Sequence, residues 1–311
     1  MQKDILINEI SKVIVGKKDI IEKILVCLLA DGHILLEDLP GTGKTNLALA
    51  ISKIFDIDHK RLQLTSDTLP SDITGYMMYD KDTHEFRLKK GPIFTNLLLA
   101  DEINRTSPKT QSALLEVMEE KQVTIDAKTY ELEDIFVVIA TQNPYGAAGT
   151  NLLPQSQMDR FMMVLSLGYP DLESEKQLFK DRQAIDPLDE VLHLVRKENL
   201  KRLQDYISKV YIHDDIYDLT ARLSKATRED ERILVGASPR AGLALLKAAR
   251  ARAILYERDY VTMEDIDVLY RNIYAHRVIL KDQEIAVLDK ERLSILDDIY
   301  KNLARPDIKD R

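Results

Sequence analysis

A single cysteine, Cys27, stands in 311 residues, so no internal disulfide can form and a reducing compartment is the expectation. It falls in the apolar pattern Ile20, Ile21, Ile24, Leu25, Leu28 and reads as a small core residue rather than a nucleophile. There is no tryptophan, no zinc-ligand spacing, no internal repeat and no low-complexity segment. No apolar run approaches the roughly 18 residues of a membrane span. The start, MQKDILINEI, has acids early and no apolar stretch of signal-peptide type, so a cytoplasmic protein is expected. Positive charge is also in deficit. Lys and Arg number 44 against 52 Asp and Glu, a net charge of −8 with a pI near 5.4, which argues against a general attraction to nucleic acid. What is present, 45% hydrophobic and 31% charged residues, suffices for a large core and two domains.

The most informative stretch is HILLEDLPGTGKT, His33 to Thr45. His33-Ile34-Leu35-Leu36 reads as a buried strand. Asp38 to Gly43 reads as a loop, and from Asn46 the spacing Leu47, Ala48, Ala50, Ile51, Ile54, Phe55 is helical. Strand, glycine-bearing loop and helix beginning at Gly43-Lys44-Thr45 make a phosphate cradle, in which backbone N–H groups and the helix dipole face an anion. Lys44 would reach the β- and γ-phosphates, and the Thr45 hydroxyl would hold Mg²⁺. The strict pattern G-x-x-x-x-G-K-[ST] asks for glycine where Asp38 stands, so it fails as written. The bland alternative is a plain strand–turn–helix with a solvated lysine.

Later segments bear on that choice. Asn96 to Glu102 is an apolar run ending in two carboxylates. It suits a central parallel strand with its acids at the carboxyl edge of the sheet, where ligands bind in open α/β folds. Asp101 would hold Mg²⁺ directly or through water, and Glu102 would orient and polarise an attacking water. Ser107-Pro108 starts a helix with Leu114, Leu115 and Met118 on its apolar face; Glu116, Glu119 and Glu120 read as its solvated side. Ile135–Ala140 is another apolar strand, leading to Thr141-Gln142-Asn143-Pro144. Asn143 is either a turn former or a hydrogen-bonding partner of the attacking water or γ-phosphate. Phe161 to Leu167 makes the fifth strand.

Residues 4–30 read as two helices split at Val15-Gly16-Lys17-Lys18, and Arg61–Thr65 as a second strand. Residues 66–95 hold turn chemistry and a hairpin of Tyr76–Tyr79 with Glu85–Leu88; this is an ordinary surface loop or an inserted functional element. Val123 to Leu132 reads as a second hairpin. The segment Pro170 to Pro187 marks a boundary, and 171–187 is taken as a linker between a core, 1–170, and a helical domain with a C-terminal extension, 188–311. Helical spacing is read at Val191–Val195, Leu200–Ile207, Ile216–Leu223, Ala241–Leu255 and Met263–Ile273. Ser238-Pro239 places Arg240 in a first helical turn, where a cation is slightly unfavourable; that conflict favours a functional reading over a solvated charge. Arg250, Arg252 and Arg258 read as a solvated or intersubunit face.

From about Val13 to Arg277 the chain resembles the AAA+ ATPases, and within them the MoxR family. The stretches that carry the resemblance are LLEDLPGTGKT, LPSDITGY, GPIFTNLLLADEINRTSPKTQSALLEVMEEKQVT, IATQNP, LPQSQMDRF and GASPRA. The resemblance implies an α/β P-loop core with a five-stranded parallel sheet, followed by an all-helical lid. It also implies an insert before the acidic strand and a hairpin before the asparagine strand, at 66–95 and 121–134. By position it assigns Pro40, Gly41, Thr42, Gly43, Lys44, Thr45 and Asn46 to the phosphate loop and Asp101 and Glu102 to the acidic motif. Asn143 becomes the first sensor, Arg160 an arginine finger, Arg240 the second sensor, and Val15-Gly16 the border of the adenine. Its cofactors would be ATP and Mg²⁺, and its assembly a homo-oligomeric ring, a hexamer. The implied work is chaperone-like maturation or remodelling of a partner protein, often one with a von Willebrand factor A domain. Two other classes are weighed against this: a DNA-acting motor, disfavoured by the acidic balance, and a nucleotide-gated scaffold with little turnover, disfavoured by Glu102 and Arg160. A magnesium-chelatase-type motor subunit is a related minor option.

Overall fold

The structure, a computed structural model, describes residues 3–38, 41–143, 153–181, 186–281 and 287–305. Helices α1 (Lys3–Ser11) and α2 (Lys18–Leu29) lead into strand β1 (Ile34–Glu37), helix α3 (Lys44–Ile54) and strand β2 (His59–Gln63). A short helix α4 (Pro70–Thr74) and the antiparallel hairpin β3 (Gly75–Asp80) and β4 (Glu85–Lys90) follow. Then come β5 (Leu97–Asp101), α5 (Pro108–Glu120), a second hairpin of β6 (Gln122–Ile125) with β7 (Lys128–Glu131), and β8 (Val137–Gln142). A one-turn helix α6 (Gln155–Met158) precedes β9 (Met163–Leu165).

β1, β2, β5, β8 and β9 form the one five-stranded parallel sheet that the sequence led us to expect, and the structure orders it β2-β5-β8-β1-β9. The inner strands β1, β5 and β8 are buried along their whole length, which is why they read as unbroken apolar runs. The edge strand β2, HKRLQ, is largely exposed and polar, which discourages pairing with another chain at that edge. The opposite edge, β9, is covered: Asn272 donates from Nδ2 to the Val164 carbonyl at 3.0 Å. Because the strands are parallel, the ends of β1, β2, β5 and β8 open onto one edge, with Gln63 beside Asp101 and Glu37 beside Gln142.

The rest of the chain carries α7 (Leu172–Asp181), α8 (Lys197–Tyr206), α9 (Asp214–Glu229), β10 (Ile233–Val235), α10 (Pro239–Leu255), α11 (Met263–Tyr274), β11 (Ile279–Leu280) and α12 (Lys290–Asn302). Four sequence expectations need correction here. Residues 171–187 are not a plain linker, since α7 occupies most of them. Val191–Val195 is not helical: Leu194 and Val195 donate their amides to the Ile54 carbonyl at 3.0 and 2.9 Å, which holds the segment along α3. The helical domain also contains one antiparallel strand pair, β10 with β11. Finally, Arg252 is no surface charge. It is 2% exposed and binds Glu22 of α2 at 2.8 Å, Asp265 at 2.6 Å and Glu264 at 2.9 Å. Arg258 shares Asp265 at 2.7 Å, and Arg250 donates to the Val210 carbonyl at 3.0 Å. These contacts join α10 and α11 to the core through α2. Removing one member of such a buried set typically costs about 3–5 kcal/mol, because its partners remain buried and charged.

Candidate functional site

A cleft of about 410 Å³ lies at the carboxyl edge of the sheet. Gly41 and Gly43 adopt φ of +85° and +87°, a region open to glycine and strained for other residues, and so turn the chain from β1 into α3. Gly43 is the N-cap of α3, so Lys44 and Thr45 begin the helix and its N-terminal end lines the cleft. Thr42, Lys44, Thr45 and Asn46 line it; Pro40 lies outside the described residues. Burial pushes the Lys44 ammonium below its ordinary pKa, against the opposing pull of Asp38, Asp101 and Glu102. A half-buried cation lining an open cleft at a helix N-terminus suits a polyphosphate.

Asp38, which breaks the strict phosphate-loop pattern, has a role of its own. Its buried carboxylate accepts from Ser166 Oγ, the Leu167 amide and the Gly168 amide, each at 2.8 Å. It thereby fixes the chain leaving β9, where Gly168 and Pro170 line the cleft. Val15 lines the same side. Gly16 does not: it turns the chain at φ +77°, packed so closely on Ser174 that a Cβ would come within 2.3 Å of Oγ.

The acids emerge where they were expected. Asp101 ends β5, and Glu102 takes a left-handed conformation, φ +59°, which for a non-glycine residue costs on the order of 1–3 kcal/mol; among the described non-glycine residues with positive φ it is the one that lines the cleft. That bend is held by Thr141 at the end of β8: its hydroxyl accepts the Glu102 amide at 2.9 Å and donates to Asp101 Oδ1 at 3.3 Å. Glu102 itself receives the Gln63 amide at 2.8 Å and Arg105 at 2.8 Å. Arg61 donates from Nε to Asp101 Oδ2 at 2.7 Å. Asn143 also lines the cleft, and its carbonyl accepts from Asn104 at 3.2 Å. Sequence reasoning missed Gln63, Arg61 and Thr141. Thr141 and Gln63 were findable in principle as polar residues ending strands that flank Asp101.

The donor set fits Mg-ATP. Thr45 and Asp101 would offer hard oxygens to Mg²⁺, and Lys44 with the α3 N-terminus would offer a cation and N–H groups to the phosphates.

Arg160 and Arg240 do not line this cleft; they meet each other elsewhere. Arg160 lies between α6 and β9, at the amino edge of the sheet, so the length of a strand, roughly 13 Å for four residues, separates it from the phosphate loop. Glu119 accepts Arg160 Nε on Oε2 at 2.8 Å and Arg240 Nη2 on Oε1 at 3.2 Å. Its carboxyl is held below the ordinary range, first by the Arg160 hydrogen bond. Glu119 is thus no idle member of the solvated face of α5, as its spacing suggested. Asp159 stands 3.6 Å from Arg240 Nε and 2.6 Å from Arg277 Nε, which completes a cluster of three arginines and two acids. Among the described residues no helix is long and apolar enough to cross a membrane, and no group of metal-ligating side chains of the His/Cys/Asp/Glu type occurs.

Comparison with known proteins agrees with this geometry. The profile of the "ATPase family associated with various cellular activities (AAA)" matches residues 33–163, and the "AAA lid domain" profile matches residues 225–296. The uncharacterised protein YeaC of Bacillus subtilis is 45% identical over 88% of this chain and 86% of its own length. Chaperone MoxR1 of Mycobacterium tuberculosis is 37% identical over 90% of this chain and 76% of its own. A crystal structure of a candidate ATPase from Cytophaga hutchinsonii superposes with a TM-score of 0.87 at 40% identity, covering 97% of this chain and 94% of that one. With the phosphate loop, the acidic strand end and a C-terminal lid in these places, the chain belongs to the MoxR family of AAA+ ATPases.

Proposed function

We propose that the protein hydrolyses Mg-ATP in the cleft at the carboxyl edge of the sheet and works as a closed ring, a hexamer, that remodels or matures a partner protein. Lys44 and the start of α3 would bind the phosphates, Thr45 and Asp101 would hold Mg²⁺, and the metal when bound would neutralise charge building on the phosphoryl oxygens. Glu102 would polarise the attacking water, and Asn143, beside it at the end of β8, would help to position it. The observation that carries the ring is the separation of the two halves of the site. Arg160 and Arg240 sit together on Glu119 at the amino edge of the sheet, while Lys44 and Glu102 face the carboxyl edge. An arginine placed there reaches a γ-phosphate by serving the next subunit, and a heterologous interface that closes on itself gives every subunit both a donor and an acceptor role. The relative named Chaperone MoxR1 supports a protein substrate; a von Willebrand factor A domain, which the family resemblance implies, is the partner class we favour.

The test is steady-state phosphate release. Glu102→Gln should bind ATP like wild type and turn over about 10²–10⁴-fold more slowly, since glutamine keeps the shape and loses the charge. Turnover within about twofold of wild type would remove Glu102 from the mechanism. The ATP-loaded variant is also the bait with which to capture the partner.

A further inference from the structure

Arg277 closes the turn after α11 and is 5% exposed, buried between the C-terminal domain and the core. A guanidinium has five N–H donors in a fixed fork, and here five contacts use them. Nε binds Asp159 Oδ1 at 2.6 Å; Nη2 binds the carbonyls of Asp159 at 3.1 Å and Phe161 at 2.8 Å; Nη1 binds the carbonyls of Met162 at 3.1 Å and Ile273 at 2.6 Å. Four of the five fall on the run Asp159–Met162, whose second residue is Arg160. The neighbouring His276, fully buried, adds a second hold. Burial keeps its imidazole neutral, and Nε2 lies 2.9 Å from the same Phe161 carbonyl. The His276 carbonyl in turn accepts from the Gln155 amide, at the start of α6.

Burying a charged group costs several kcal/mol before pairing, and Arg252 shows that a buried arginine can serve simply to join the domains. What sets Arg277 apart is where its fork falls, on the turn that carries Arg160. The contact also crosses between domains: His276 and Arg277 come from the lid side, and Asp159 to Met162 from the core. Through its second oxygen Asp159 extends the link to Arg240, on α10 of the same lid.

We propose that Arg277 is a positioning residue for hydrolysis in the neighbouring subunit: it locks the Arg160 turn to the lid, so that a subunit's lid position sets how its finger enters the next subunit's site. This rests on the reading of Arg160 as a finger acting across an interface. ATP bound by one subunit would then be sensed, through its lid, at the site next door.

The test uses the full-length chain and Arg277→Lys. Lysine keeps the charge and can pair with Asp159, but it has three donors on a point charge and cannot span the carbonyls. ATP affinity should stay within about twofold of wild type. The kcat should fall about tenfold or more, given that a displacement of about 1 Å at a reacting centre can cost about 10²-fold. Direction of action is then read by mixing chains whose co-assembly has been shown by native mass measurement. Mixing with Glu102→Gln, which still donates an intact finger, should restore turnover in the Arg277→Lys pockets. Mixing with Arg160→Ala should restore nothing, because neither chain then donates a well-placed finger. Rescue by Arg160→Ala, or rescue by neither chain, overturns the proposal. Wild-type kcat for Arg277→Lys beside a slow Arg160→Ala overturns it alone, whereas wild-type kcat for Arg160→Ala overturns the finger reading with it. Should Arg277→Lys fold poorly, Asp159→Asn, which removes the acid facing Nε at a partly exposed position, should give the same pattern.

Discussion

The hydroxyl of Thr141 accepts the backbone amide of Glu102 at 2.9 Å, across two neighbouring strands, and so holds that residue in its left-handed turn. The same oxygen is bonded to Asp101, so one side chain on β8 registers both acids at the end of β5.

Thr141→Val, close in shape, removes this bond and leaves the Glu102 N–H without its partner. Such an orphaned group costs about 1–3 kcal/mol of stability. The larger effect should be on chemistry. ATP binding should stay near wild type while kcat falls by about tenfold or more, and Thr141→Ser should recover most of it. Isothermal titration and phosphate release separate the two effects; an unchanged kcat in Thr141→Val would mean that Glu102 keeps its turn without help.

The site was legible in the chain where its chemistry is local. Gly43-Lys44-Thr45 and Asp101-Glu102 each follow an apolar run, and their meaning depends on a few neighbours in sequence. What escaped notice is held by distant partners. Asp38 looked like a missing glycine because the amides it binds are those of Leu167 and Gly168. Glu119 looked solvated because helical spacing cannot reveal Arg160 or Arg240. Arg252 sat in a basic run, and only the packing of α10 against α2 brings Glu22 to it. The spacing Val191–Val195 mimics a helix, yet the segment bonds to the end of α3 instead. Short elements such as β10 and β11 carry too few residues for a period to register.

Lys44 offers a prediction that opposes function to stability. Its folded pKa is lowered, chiefly by burial, so the ammonium is penalised in the empty protein at neutral pH. The penalty is present below the folded pKa and disappears as pH rises through it toward the unfolded value of about 10.4. Lys44→Met should therefore melt at the same temperature as wild type or higher without nucleotide, with the advantage shrinking in strongly alkaline buffer. It should also lose the ATP-dependent rise in melting temperature, which for wild type corresponds to about 2.7 kcal/mol at a ligand concentration of 100 Kd. Thermal scans with and without Mg-ATP decide it; a retained ATP shift in the variant would remove Lys44 from the phosphate site.

His33 connects the same core to acid stability. It stands just before β1, buried, with Nδ1 accepting the Val138 amide at 3.0 Å and Nε2 facing the Met118 carbonyl at 3.0 Å. The ring is thus fixed in one neutral tautomer, donating at Nε2, and a proton on Nδ1 would break the bond to β8. Burial, the main cause, pulls its pKa down to about 4, while the Met118 bond works the other way. The sign follows from linkage: the unfolded chain takes up a proton near pH 6.5 and the folded chain does not. The stability contribution is therefore whole above about pH 6.5 and is lost as pH falls toward about 4. A shift of this size is worth on the order of 3 kcal/mol. Urea unfolding should show the decline between about pH 7 and pH 5. In the folded protein the ¹³C-labelled His33 ring should keep its neutral chemical shift down to about pH 5. A His33 resonance that titrates near pH 6.5 while the protein remains folded would refute the assignment and place the origin of the acid sensitivity elsewhere.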